Sequence, residues 1–153
     1  MIKKIKKVDI NEYMSILIDL INQGKTVPLL ITGNSMMPFL AHQRDTIYIS
    51  KAVKPFKKGD IVFYIRKNKQ YVVHRIHHID KYGHLFIIGD AQTVIEGPVE
   101  QTQVFGIVNS VNRKNKIVTN RSFIWKFFSI VWIRTIILRL IFIKIHNFKN
   151  RFR

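Results

Sequence analysis

Between residues 27 and 119 the chain is a succession of short strand-like apolar runs, each closed by turn residues, with no helix-spaced segment among them. The runs are 27–32, 46–50, 60–65, 70–79, 84–88, 103–112 and 115–119. Gly33-Asn34, Lys58-Gly59-Asp60, Lys67-Asn68-Lys69, Lys81-Tyr82-Gly83 and Arg113-Lys114-Asn115 supply the breaks. Many short strands without intervening helices predict a mainly β fold, a small antiparallel and partly closed β-domain.

The two ends read differently. Ile10, Met14, Leu17, Ile18 and Ile21 recur at helical spacing, with Asp9 placed to cap the start and Gly24 the end, which predicts a short amphipathic helix over 9–23. At 153 residues the chain is long enough for one domain with a core and too short for two ordinary ones. It divides into an N-terminal helix (1–24), a β-domain (25–120) and a C-terminal segment (121–153). No long apolar run follows the opening Met-Ile-Lys-Lys-Ile-Lys-Lys, and Asp9, Asn11, Glu12 and Asp19 interrupt the next stretch. Neither a cleavable signal peptide nor an N-terminal anchor is therefore expected, and the β-domain is expected in the cytosol. The chain has no cysteine, which excludes disulfides, thiolate zinc sites and a cysteine nucleophile.

Charge separates the C-terminal segment from the rest. All nine acidic side chains precede residue 121, whereas eight of the 26 Lys and Arg follow residue 120. Residues 123–145 combine 17 apolar positions and two hydroxyl residues with Lys126, Arg134, Arg139 and Lys144. In a spanning helix Arg134 and Arg139 would lie near mid-bilayer, each costing about 2.5–3.5 kcal/mol, while each Ile, Leu or Phe returns about 0.3–0.6 kcal/mol. Insertion and exclusion nearly balance. The expectation is an amphipathic, hydrophobic helix lying in the membrane interface, its basic side chains snorkelling towards lipid phosphates on the cytoplasmic side. A marginal transmembrane span and a buried packing helix are the alternatives. A different class of function is a basic nucleic-acid-binding β-domain without peptidase activity, with Phe63, Tyr64 and Tyr71 stacking bases near Lys67, Lys69 and Arg75. The tail's cations are diluted by Ile, Phe and Trp, which suits lipid better than a phosphate backbone, so no nucleic-acid partner is expected.

Two segments carry candidate chemistry. In Thr32-Gly33-Asn34-Ser35-Met36-Met37-Pro38, a strand ends at a glycine and a serine stands just past it. Gly33 has the backbone freedom to present the Ser35 hydroxyl and amide, and Pro38 fixes the exit direction. In Gln70-Tyr71-Val72-Val73-His74-Arg75-Ile76-His77-His78, strand alternation puts Val72, His74, Ile76 and His78 on one face and Val73, Arg75 and His77 on the other. His74, flanked by Val72 and Ile76, must find a hydrogen-bond partner. It is either a satisfied structural histidine or a base whose partner is a hydroxyl. Asp60 reads as a turn residue, and His42, His77, His78 and His84 show no metal-ligand pattern, so no metal or cofactor is expected.

Taken in order, Gly-x-Ser-Met-x-Pro (33–38), Gly-Asp-Ile-Val-Phe (59–63), Val-x-His-Arg (72–75) and Phe-Ile-Ile-Gly-Asp (86–90) resemble the S24/S26 serine peptidase superfamily, which includes signal peptidases and LexA-like self-cleaving repressors. The likeness covers roughly residues 25–112. Where bacterial housekeeping signal peptidases and LexA-like proteins have a lysine, this chain has His74, which is similar to the endoplasmic-reticulum, archaeal and sporulation-associated branch.

The resemblance implies a β-domain of the signal peptidase/LexA type and a serine endopeptidase with Ser35 as nucleophile and His74 as general base. It implies a third, acidic member: Asp90 first, because it stands in the motif, and Glu96 second. Ala91-Gln92 departs from the pair of asparagines common in that branch, which leaves the choice of acid open. Gly33, Met36 and Pro38 fall at substrate and oxyanion positions; with Gly33 where lysine-type relatives carry a hydroxyl, only main-chain donors are offered. The implied substrate is an extended peptide or preprotein paired with edge strands that include Ile31-Thr32 and 70–79, with small side chains at the cleavage point. Trimming a dedicated leader or signal segment at the membrane fits this architecture better than bulk secretion. A self-cleaving regulator is not expected, since 24 residues ahead of the β-domain leave no room for a DNA-binding domain and a linker.

Overall fold

Helix α1 (Ile10–Asn22) packs by a single stripe, with Met14, Leu17 and Ile21 buried one turn apart. It begins the part of the chain, residues 10–151, that the computed structural model describes. The proposed cap at Asp9 lies outside the described residues. The helix ends where Gly24 N–H donates to Ile21 O at 2.9 Å and Lys25 N–H to Leu20 O at 3.0 Å.

The strands are β1 (Val27–Leu30), β2 (Thr46–Ser50), β3 (Ile61–Ile65), β4 (Tyr71–Ile79), β5 (Leu85–Ile88), β6 (Glu96–Val99), β7 (Val104–Arg113) and β8 (Lys116–Thr119). They form one antiparallel sheet ordered β1-β2-β7-β3-β4-β5-β6, with β8 hairpinned onto β7. The end strands β1 and β6 do not pair, so the sheet is not closed. Strand β6 corresponds to none of the apolar runs in the sequence. Its Glu-Gly-Pro-Val sequence contains the two residues most depleted in strands, and it survives at the sheet edge, where its free side needs no ladder.

Strand β3 shows why one sheet supports two cores. Ile61, Val62, Phe63 and Tyr64 are all buried. Because successive side chains point to opposite faces, Ile61 and Phe63 join the larger core with α1, β1, β2 and β7, while Val62 and Tyr64 join the smaller one with Ile76, Leu85, Ile87 and Val99. The aromatic pair considered for base stacking, Phe63 and Tyr64, is thus inside the protein.

The C-terminal segment is two helices rather than one: α2 (Phe123–Ile130) and α3 (Ile136–Arg151), joined by a 3-10 turn at Trp132–Arg134. Packing breaks the helix. Trp125, Phe128 and Trp132 belong to the same core cluster as the strands, and the Trp132 indole donates to Asp90 O at 2.8 Å. Arg139, which a spanning helix would put near mid-bilayer and an interfacial one at the lipid phosphates, is fully buried against the β-domain; Arg134 is exposed. Among the described residues no helix is long and apolar enough to cross a membrane.

Candidate active site

Ser35 stands in the turn that follows β1. Gly33 holds φ at +87°, a left-handed backbone that a residue with a side chain adopts only under strain, and its N–H donates to His42 Nδ1 at 2.9 Å. Beyond the serine, Met36, Phe39 and Leu40 are buried at helical spacing, and Leu40 N–H donates to Met36 O at 2.8 Å. Arg113 of β7 ties down the end of the turn through Phe39 O (2.7 Å) and Pro38 O (3.3 Å). The turn is therefore anchored by its own apolar residues while the hydroxyl stays outside the core.

Across from it, β4 keeps the predicted alternation: Val72 and Ile76 face the smaller core and Val73 the larger. His74, 2% exposed, brings Nε2 to 3.0 Å from Ser35 Oγ. Its Nδ1 lies 3.4 Å from Glu96 Oε1 and 3.5 Å from the Tyr64 hydroxyl. Tyr64 donates to Glu96 Oε2 at 3.1 Å, and Arg66 forks onto the same carboxylate through Nε (2.7 Å) and Nη2. With the proton on Nδ1 directed at Glu96, the Nε2 lone pair faces the serine hydroxyl.

Burial drives the His74 imidazolium pKa down to about 4; Glu96 pulls it back up and Arg66 pushes it further down. The ring is accordingly neutral at neutral pH and free to accept a proton. Burial acts to raise the Glu96 pKa, but the hydrogen bond and charge of Arg66, helped by His74 and Tyr64, hold it below the usual glutamate range. A hydroxyl hydrogen-bonded to a neutral imidazole, itself backed by an ionised carboxylate, is an arrangement able to generate an oxygen nucleophile.

The second candidate acid stands in different surroundings. Asp90 is fully buried, and its carboxylate is occupied by Arg75, with Nε to Oδ1 at 2.9 Å and Nη2 to Oδ2 at 2.8 Å. Arg75 also donates to Gly59 O and Ser129 Oγ, both at 3.0 Å. Alternation explains the split: Arg75 follows His74 in the strand and points to the opposite face, taking Asp90 with it. Strand β6, invisible as a strand in the sequence, carries Glu96 to the imidazole by pairing it with Ile87.

The hydroxyl and imidazole open onto a cleft of about 540 Å³ between α1, the end of β1 and the start of β4. Of the three residues assigned to substrate and oxyanion positions, Gly33 and Met36 line it and Pro38 does not, its carbonyl being held by Arg113. Three further cleft or site residues escaped the sequence reading: Tyr64, Arg66 and Gln92. Tyr64 was legible in principle. Its neighbour but one, Val62, pairs with His74, so the hairpin register puts Tyr64 on the imidazole's face. Among the described residues no cluster of His, Asp and Glu is placed to hold a metal ion. A family model described as Peptidase S24-like matches residues 2–108 of the chain. No curated protein matches it.

Proposed function

This chain belongs to the Peptidase S24-like family, and on that footing we propose that it is a serine endopeptidase in which Ser35 attacks a peptide carbonyl and His74 takes the serine proton. The 3.0 Å contact between Ser35 Oγ and His74 Nε2 at the floor of an open cleft carries this reading. The histidine sets the proposal in the Ser-His, signal peptidase-like branch of the superfamily, with Glu96 rather than Asp90 orienting the imidazole through Nδ1. Attack forms an ester with Ser35 and expels the amine, which takes the proton from His74; water then hydrolyses the ester with His74 again as base. Among the described residues the Ser35 N–H has no acceptor, which leaves it free for the oxyanion.

Two unpaired backbone edges face the cleft and support an extended substrate. Strand β1 pairs only with β2, and β4 pairs with β5 only from Arg75 onward, leaving 71–74 open on that side. A peptide laid between them would add to both edges. Ser35→Ala and His74→Ala proteins should stay folded and lose cleavage of an extended peptide by at least about 10³-fold. Undiminished cleavage by folded Ser35→Ala protein would end the assignment.

The proposal places the enzyme at a membrane surface, trimming a leader or signal segment on the cytoplasmic side. Ile137, Ile141, Ile145 and Phe148 of α3 are exposed beside Lys144, Lys149 and Arg151, a surface suited to anionic lipid. The full chain should co-sediment with anionic vesicles and be only partly released by salt, because apolar contacts are not screened. Failure to bind such vesicles, or release from them into a salt-sensitive complex with oligonucleotides, counts against it.

A further inference from the structure

The family match ends at residue 108, yet side chains well beyond it reach the loop that backs Ser35. That loop joins β5 to β6. Gly89 passes so close to the serine that a Cβ on it would lie 2.6 Å from Ser35 O, and Ala91 N–H donates to the same oxygen at 2.8 Å. The far side of the loop belongs to the C-terminal segment. Trp132 Nε1 donates to Asp90 O at 2.8 Å, and Arg139 Nη1 donates to Gln92 O at 2.9 Å and Gly89 O at 3.3 Å. Arg139 Nε donates to the main-chain carbonyl of Trp132 at 3.2 Å, which ties the two residues together. Of the carbonyls of residues 89–92, those of Gly89, Asp90 and Gln92 therefore accept from the tail, Gly89 O also accepting from Gln92 N–H at 3.0 Å, while Ala91 N–H holds the nucleophile's own peptide.

Arg139 is an odd choice for packing alone. It is fully buried, its hydrogen bonds are all to neutral carbonyls, and its Nη2 has no partner among the described residues. Burying a guanidinium without a carboxylate is costly, and an apolar side chain of similar length would fill the same space without that cost. What an apolar side chain could not do is bridge two carbonyls of one turn. We propose that Trp132 and Arg139 are positioning residues for Ser35, fixing the 89–92 loop so that the serine backbone and hydroxyl keep their placement against His74; this rests on Ser35 being the nucleophile. The tail is then a built-in part of the site, supplied from outside the family-matched span.

Two variants separate positioning from packing. Arg139→Met removes the donors and keeps the length, and Trp132→Phe removes one N–H and keeps an aromatic ring. In each folded full-length protein kcat for an extended peptide should fall by about tenfold or more with KM within about twofold, and Ser35 labelling by a fluorophosphonate should slow in parallel. Hydrogen exchange at residues 89–92 should quicken by about tenfold or more as well. Wild-type labelling rate and loop exchange in both variants would overturn the proposal, and if Arg139→Met fails to fold, Trp132→Phe decides alone. Should the wild-type protein take no label at Ser35, it is the nucleophile assignment that falls, and the exchange measurement still tests whether the tail holds the loop.

Discussion

Arg66–Glu96 and Arg75–Asp90 are both forked arginine–carboxylate pairs, built from the same groups and set in different surroundings. Both side chains of the second pair are sealed off at 0% exposure, whereas both of the first are 26% exposed at the cleft. Water reaches one pair and not the other. The enclosed pair touches the Gly59 carbonyl, the α2 hydroxyl of Ser129 and the loop behind Ser35, so it ties β4 to its surroundings. The open pair faces the Nδ1 of His74 and sets the charge the imidazole feels. The difference teaches that membership of a sequence motif does not assign a role to an acid; the group its carboxylate faces does.

Breaking the buried pair should have the largest effect. Asp90→Ala leaves the enclosed Arg75 charge without its carboxylate and should cost about 3–5 kcal/mol of stability in urea unfolding. If the variant instead keeps wild-type stability and loses activity, Asp90 belongs with His74 and the contrast collapses. Glu96→Gln should do the reverse. It should lower kcat by about 10–100-fold, about 1.4–2.8 kcal/mol of transition-state energy, with the unfolding midpoint nearly unmoved. Equal kcat in the two proteins would remove Glu96 from the mechanism.

The smallest expected effect is on pH dependence, and it sharpens the same contrast. The base acts when neutral, so kcat/KM should rise with pH through a limb at about 4, the depressed value of His74, and then stay level to neutrality. Glu96 pulls that value up, so Glu96→Gln should move the limb to lower pH, by more than a folded Asp90→Asn protein does, Asp90 being the weaker of the two influences. A wild-type limb near the ordinary histidine value would mean that burial does not govern this ring.

Much of the site was legible because it is local or alternating. The glycine turn before Ser35, the strand holding His74 and the opposite facings of His74 and Arg75 follow from backbone freedom and a two-residue period, and seven of the eight strands appear as runs in the sequence. What was not legible depended on contacts across the chain. Glu-Gly-Pro-Val does not look like a strand and becomes one only because β5 offers it an edge. The tail's apolar residues, read as facing lipid, divide between the core and the surface: Trp125, Phe128 and Trp132, at helical spacing, go in, while Ile137 and Phe148 stay out, and a tail apolar on every side does not mark which stripe will be covered.

The sequence by itself determined that an antiparallel β-domain would carry a serine on a glycine turn and a histidine within a strand, since turn chemistry and strand periodicity are properties of neighbouring residues. Only the tertiary structure decided that these two side chains, 39 residues apart, meet at 3.0 Å, that Glu96 faces the imidazole, and that Arg139 closes on the loop behind the serine. Those choices depend on strand order, register and the competition of each polar group for a buried partner, and none of these is written in a local stretch of chain.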